Sequence, residues 1–423
     1  MFLLYNILQL ICLPILVPLL ILMALLISKY RGRMLYRLGL GLSSTIDKPK
    51  PDQKTIWIHA LSVGEVTSAV PLIKGLREKY PSERIVLTVA TRSGETIARK
   101  ILADLVDHIV PSPLDFLPTV ALFYARIRPH LFILVETDFW PNLLLYLQYK
   151  KTPIVLVNGR VSEKSFTGYR RFSFFFAPIF TSFTYLFMQT ELDKTNMAGL
   201  GISQRKIKVL GNLKFDTLTP DHSLKSSSLS ALIPENKLVL IAGSTHPGEE
   251  EIIFNLFQKL MATCPDLFLI VVPRNPARAN EIIGLAEKNN LSVTTRSSKT
   301  KTLSDILLVD TIGELISFYA LSHIAFVGGS LVDERGHNPI EPATFGLPVI
   351  CGQYMQDFHE ITLSLIESGG AIQVKNPKEL EEALMTILTS GEVRQRYGEA
   401  AKNCVVQQRG VVNKHLEYLQ TLL

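Results

Sequence analysis

The stretch 55-TIWIHALSVGEVTSAVPLIKGLREKY-80 decides how the rest of the chain is read. Residues 55 to 61 are apolar and rich in β-branched side chains with no polar alternation, as in a strand buried on both faces. Ser62, Val63 and Gly64 follow as a short loop, and Val66 to Tyr80 carries the apolar spacing of an amphipathic helix. The same grammar returns at 84-RIVLTVA-90, 131-LFILVE-136 and 153-PIVLVNG-159. Strands alternating with helices predict a parallel sheet covered on both sides. The rhythm breaks over 217-TLTPDHSLKSSSLSALIPENK-237, a Ser- and Pro-rich linker with at most a short helix. It resumes at 237-KLVLIAGS-244, 267-LFLIVVP-273, 305-DILLVD-310, 323-HIAFVGGS-330 and 347-LPVICG-352. No internal sequence repeat interrupts the pattern. The expected fold is α/β, with two Rossmann-like halves joined by a hinge and ligands at strand C-termini facing a cleft.

Composition fits two such halves. The chain has 423 residues, 47% hydrophobic and 19% charged, which is more than one ordinary core holds. A net charge of +6 and a pI near 9.0 suit an anionic partner, whether nucleic acid, a phosphorylated small molecule or an acidic membrane surface. The basic residues are dispersed and no aromatic RNA-binding motif occurs, which argues against nucleic acid. Cys12, Cys264, Cys351 and Cys404 are scattered without metal-ligand spacing and read as reduced thiols.

From Phe2 to Ile27 the chain is almost continuously apolar, interrupted by Asn6, Gln9, Pro14 and Pro18, and the next ten residues bring Lys29, Arg31, Arg33 and Arg37. This predicts a transmembrane anchor over residues 1–30 with the remaining chain on the cytoplasmic side. A signal peptide competes, but it lacks a charged start and a small-residue cleavage site. A buried helix also competes, since the two prolines would kink a span. The expected domains are 31–220 and 221–423, with the last helix free to pack back on the first.

Several loops after strands carry candidate chemistry. Glu65, expected exposed at the positive end of a helix, should be ionised at neutral pH and able to take a proton from a bound hydroxyl. The plain alternative is a carboxylate that only complements the helix dipole. Glu136 and Asp138 follow another strand, and Lys214 in 211-GNLKFD-216 precedes the linker. In 243-GSTHPGEEE-251 the acids Glu249 to Glu251 read as ordinary helix capping. Arg274, between Pro273 and Pro276, suits a phosphate. Gly328, Gly329 and Ser330 end a strand in a loop whose backbone N–H groups could meet an anion. Asn338, Pro339 and Glu341 have the grammar of a helix start, which also suits a ribose. Arg170 and Arg171 stand in the phenylalanine-rich stretch 164–187 and are candidates for meeting phosphates at a membrane; a buried helix with a basic rim is the other reading.

In this order 59-HALSVGE-65, 136-ETDFWPN-142, 243-GSTHPGEE-250, 273-PRNPAR-278 and 328-GGSLVDERGHNPIEP-342 resemble the motifs of the Kdo (3-deoxy-D-manno-octulosonic acid) transferases of lipopolysaccharide synthesis. The similarity spans nearly the whole chain. It implies the two-domain GT-B fold, an inner-membrane location, and inverting transfer of Kdo from CMP-Kdo to a lipid A precursor such as lipid IVA, with no cofactor and no metal. It also implies Glu65 as general base, Glu136 and Lys214 as transition-state stabilisers, and CMP contacts at Pro273, Arg274, Ile312, Gly313, Glu314, Asn338, Pro339, Ile340 and Glu341. Gly329 and Ser330, with Arg274 and the start at Asn338, would offset charge on the leaving phosphate in place of a metal. Asn275, Arg335 and Asp357 depart from the pattern, where His, Gly and Asn are commoner. A GT-B enzyme of another kind, using a UDP-sugar, is the alternative.

Overall fold

Every residue of the strand Thr55–Ala60 is buried, as a parallel strand covered on both faces must be. Its side chains alternate between two cores: Ile56, Ile58 and Ala60 enter one with Leu87 and Ile133, and Trp57 enters the other with Val86 and Phe132. In this computed structural model, which describes residues 2–26, 28–217, 227–298 and 304–423, that pattern repeats through two sheets.

The first sheet holds β1 (Thr55–Ala60), β2 (Arg84–Val89), β3 (His108–Pro111), β4 (Leu131–Val135), β5 (Ile154–Gly159), β6 (Tyr185–Met188) and β7 (Ile207–Val209). Their spatial order is β3-β2-β1-β4-β5-β6-β7, all parallel. The second holds β8 (Leu238–Thr245), β9 (Leu267–Pro273), β10 (Val293–Thr295), β11 (Ile306–Leu308), β12 (Ile324–Val327), β13 (Val349–Cys351) and β14 (Ala371–Gln373). Its order is β10-β11-β9-β8-β12-β13-β14, again all parallel. In each sheet the chain first runs outward in one direction and then returns to the other side of the first strand. The crevice at that reversal, between β1 and β4 in one sheet and β8 and β12 in the other, is where such folds bind ligands.

The chain divides into two compact units, Met1–Thr217 with Gly410–Leu423, and Leu218–Arg409. The return of the C-terminus has a local cause. Asp216 accepts the backbone N–H groups of Gly410 (2.9 Å) and Val412 (2.7 Å), which caps the helix Val411–Gln420. That helix crosses the helix Val63–Lys79 at Gly75, where a Cβ would stand 2.8 Å from Val412 and 3.0 Å from Leu416. Only a residue without a side chain allows so close an approach.

The N-terminal segment departs from expectation. Phe2–Leu26 is helical, yet among the described residues no helix is long and apolar enough to cross a membrane, so the single-pass anchor is not supported. Its polar residues are committed to the first unit instead. Tyr5 donates to Asp115 (3.0 Å), Gln9 to the Asp115 carbonyl (2.8 Å) and Asn6 to Asn142 (2.8 Å). Hydrogen bonds of this kind dock a helix on protein, where a bilayer would leave those groups without partners. The side chains of Lys29 and Arg31 and residues 218–226 of the linker lie outside what the structure describes; beyond them, Ser227–Ser230 forms one helical turn.

Candidate active site

At the β1/β4 crevice the sequence places carboxylates on both flanks. Glu65 sits in the first turn of the helix Val63–Lys79 and is 5% exposed, so it is not the exposed group expected. It accepts the Leu61 backbone N–H. Burial pushes its pKa up to about 8, against the pull of that N–H, and the nearby Glu136 and Asp138 push it further. The expectation of an ionised Glu65 is thereby corrected: desolvation and like charge outweigh the helix dipole. A carboxylate so placed is a stronger base than an ordinary one.

Glu136 follows β4 with φ +65°, a left-handed conformation that costs a non-glycine residue about 1 kcal/mol or more. The turn aims its carboxylate back at Ser68 (3.0 Å) and Asn158 (3.1 Å), which both donate to it. Ser68 also donates to the Glu65 carbonyl at 3.1 Å, one helical turn from its own position. Asn158 is fully buried, and its side-chain oxygen accepts the Leu213 N–H at 3.0 Å. Lys214, next in the 3-10 turn Leu213–Asp216, is thus tied through Asn158 to Glu136. Asp138 shares a hydrogen bond with His59 Nε2 (2.9 Å), whose Nδ1 meets Thr88 Oγ1 (2.8 Å).

Ser68, Asn158 and His59 escaped the sequence reading. Each had a signal: Asn158 and His59 are polar residues inside otherwise apolar strands, and Ser68 shares a helix face with Glu65. Arg170 and Arg171 are not part of this cluster. They stand exposed on the helix Glu163–Arg171, stacked over Phe166 (5.6 Å) and Phe172 (5.7 Å).

In the second unit the β8/β12 crevice differs from expectation. The loop Gly328–Ser330 does offer converging N–H groups, but a protein carboxylate takes them. Glu249 is fully buried and accepts from Gly329 (2.7 Å), Ser330 (3.0 Å), Leu331 (3.0 Å) and His246 (3.0 Å). Gly329 and Ser330 therefore do not present free backbone donors to a phosphate, and Glu249 is more than an ordinary helix cap. Glu250, equally buried, pairs with Arg278 at 2.8 Å and accepts from Thr245 at 2.9 Å.

Other donor-side candidates stay open. Arg274 follows β9, whose last residue is the buried Pro273; its own side chain is exposed and its charge acts on both His337 and Glu341. Burial pushes the Glu341 pKa up to about 7, opposed by the Asn338 side chain that donates to it (3.2 Å) and by Arg274. The helix here begins at Ile340 and runs only to Thr344, so Pro339 precedes it and Asn338 accepts from Ile340 (3.1 Å). Ile312 is exposed and Gly313 has φ +93°. Glu314 is held by Arg296 at 3.0 Å. Beside them His246 and His337 join Nε2 to Nε2 at 2.9 Å with nearly parallel rings. Burial, then Arg274 and His246, push the His337 pKa down to about 4.

Two of the three departures explain each other. Arg335 takes φ +67° and pairs with Asp357 at 2.6 Å, so a cation and an anion stand together. Asn275 caps the turn Pro276–Arg278 through Ala277 N–H (3.1 Å). An exposed ion pair contributes at most about 1 kcal/mol, similar to what a left-handed arginine gives up to glycine. Arg335→Gly with Asp357→Asn should therefore leave the urea midpoint within about 1 kcal/mol of wild type. A much larger loss would show that these residues hold the loop some other way.

Residues 33–217 match the family described as 3-deoxy-D-manno-octulosonic-acid transferase (kdotransferase), and residues 239–404 match glycosyl transferases group 1. A 3-deoxy-D-manno-octulosonic acid transferase of Haemophilus influenzae is 34% identical over 423 residues, covering 99% of this chain and 98% of its own. One from Rickettsia felis is 32% identical over 373 residues, covering 87% and 79%. Among solved structures, the UDP-GlcNAc 2-epimerase of Neisseria meningitidis is 14% identical with a TM-score of 0.60, covering 87% of this chain and all of that one. That likeness shows the fold alone, two parallel α/β domains of the GT-B class.

Proposed function

This chain belongs to the 3-deoxy-D-manno-octulosonic acid transferase family of glycosyltransferases, and from that premise we propose that it moves Kdo from CMP-Kdo to a lipid A precursor such as lipid IVA, with inversion. One observation carries the reading: a buried Glu65 at a sheet reversal, its pKa raised to about 8 with Glu136 and Asp138 beside it. A sugar hydroxyl is a poor nucleophile, and a carboxylate of raised basicity lowers that barrier. Glu65 takes the hydroxyl proton as the oxygen bonds to the anomeric carbon and the bond from that carbon to the CMP phosphate breaks. Lys214 and Glu136 shape the field around this step. Negative charge then gathers on CMP, where Arg274 offsets it; the reading needs no metal and no cofactor. Glu341 is suited to accept from ribose hydroxyls.

A lipid acceptor calls for a membrane surface, and we place the protein at the cytoplasmic face of the inner membrane. Leu4, Leu8, Ile11 and Ile15 are exposed along the N-terminal helix, and Phe172 and Phe174 are exposed in the first unit. These side chains support a protein that rests on the bilayer. Arg170 and Arg171 would meet anionic headgroups there.

The test is direct. Incubation with CMP-Kdo and lipid IVA should yield a product heavier by one or more Kdo groups in the mass spectrum. CMP should also raise the thermal midpoint while UDP leaves it unmoved. Product formed from a UDP-sugar, with protection by UDP, would replace this reading by a different GT-B transfer.

A further inference from the structure

The first unit contains a cavity of about 340 Å³ that the transfer step does not use. Arg33, Arg92 and Arg99 line it, and Glu95 is the acid among its lining residues. The cavity lies at the C-terminal edge of the sheet. Arg33 donates to the carbonyls of Val89 (2.9 Å) and Ala90 (2.8 Å) at the end of β2, and Arg99 to that of Ile109 (2.8 Å) in β3. Glu65 rises from the same edge. Thr91 N–H bonds to the Leu61 carbonyl (2.9 Å), and Leu61 N–H is the donor to Glu65. Two strand spacings separate β3 from β1, so the cavity stands roughly 10 Å from the loop of the base.

Its charges do not balance. Glu95 is shared between Arg33 and Arg99, Arg37 donates to the Ser112 carbonyl (3.1 Å), and among the described residues no carboxylate pairs with Arg92. Burial pushes the Arg33 pKa down to about 10, and the charges of Arg37, Arg92 and Arg99 push it the same way. Guanidinium groups crowded against one carboxylate repel, and an added anion with several acceptor oxygens relieves that repulsion. Guanidinium forks match phosphate geometry in particular.

We propose that this cavity is a phosphomonoester site, and that the phosphate it takes is carried by the sugar acceptor, whose reacting hydroxyl is thereby held at Glu65. The acceptor half of this assignment rests on the transfer reading above; the phosphate half does not. Arg92 is the residue to change, because it is exposed and its loss breaks no ion pair among the described residues.

Calorimetric titration of the full chain with glucosamine 1-phosphate should give a binding isotherm, and glucosamine should give none. Arg92→Gln should weaken the phosphosugar by about tenfold or more, the effect of one charge-assisted hydrogen bond, without lowering the thermal midpoint. In turnover the same variant should raise KM for the lipid acceptor, and that penalty should vanish with a phosphatase-treated acceptor. Phosphosugar binding that ignores Arg92→Gln overturns the site. Inorganic phosphate binding as tightly as the phosphosugar, with a KM unmoved by the substitution, overturns its link to the acceptor. The titration uses neither donor nor turnover, so it remains decisive even if the chain transfers a different sugar.

Discussion

Glu65→Gln should lower turnover by roughly 100-fold or more, the size expected when a general base is lost, while the folded protein becomes more stable at neutral and higher pH. The amide keeps the shape and can still accept the Leu61 N–H, but it cannot take a proton. For the wild-type protein, kcat/KM should rise with pH, reach half its maximum near pH 8, where the free enzyme's Glu65 is half ionised, and level off above that. The variant should lose that limb. Near-normal turnover in a folded Glu65→Gln protein would falsify the role, and Glu136 would become the candidate base.

The stability half of this prediction follows from linkage. The folded pKa of about 8 lies above the ordinary carboxylate value of 4.5, so the folded state holds the proton more tightly than the unfolded one. The ionised carboxylate thus weakens folding: the penalty is absent below about pH 4.5, grows through the interval and is complete above about pH 8. Glutamine never ionises and escapes it. The gain should be close to zero at pH 4.5 and roughly 3 kcal/mol at pH 7, read from urea midpoints. A Glu65 whose role was structural would show the reverse, a loss of stability together with activity.

What could be read in the sequence was governed by burial. Strands such as β1, β4 and β9 lie in sheet interiors, where long apolar runs are obligatory, and their positions were legible almost to the residue. Shorter strands such as β3, β7, β10 and β14 left too little pattern. The position of Glu65 at a strand-to-helix turn was equally plain. Its protonation was not, because that depends first on burial by the folded chain and then on Glu136 and Asp138, more than seventy residues away in sequence. The N-terminal helix turns on the same point. Hydropathy weighs each residue alone, whereas Tyr5, Asn6 and Gln9 acquire meaning through Asp115 and Asn142. The loop Gly328–Ser330 misled in the opposite direction, since converging N–H groups attract an anion but do not say which one.

That anion is Glu249, and its removal should have the largest effect on stability in the second unit. Glu249→Ala leaves the N–H groups of His246, Gly329, Ser330 and Leu331 without their acceptor in a site where Glu249 and Ser330 are fully buried. Unsatisfied buried donors cost about 1–3 kcal/mol each when left dry; partial entry of water should hold the total to roughly 3–5 kcal/mol, as when one partner of a buried charged pair is removed. Glu249→Gln should lose less, since one oxygen remains, but its NH2 must then face an N–H. Acetate offers a discriminating test, because a small carboxylate can occupy the vacated space and accept the same bonds. It should restore part of the midpoint of Glu249→Ala and leave wild type unmoved. If the loop were a phosphate cradle that Glu249 merely blocks, the variant would instead keep its stability and bind CMP more tightly. Geometry argues for the first outcome: Ser330 Oγ also accepts the Gly352 N–H at 2.7 Å, so the carboxylate, the loop and the end of β13 form one hydrogen-bonded unit that cannot lose a member without loosening the others.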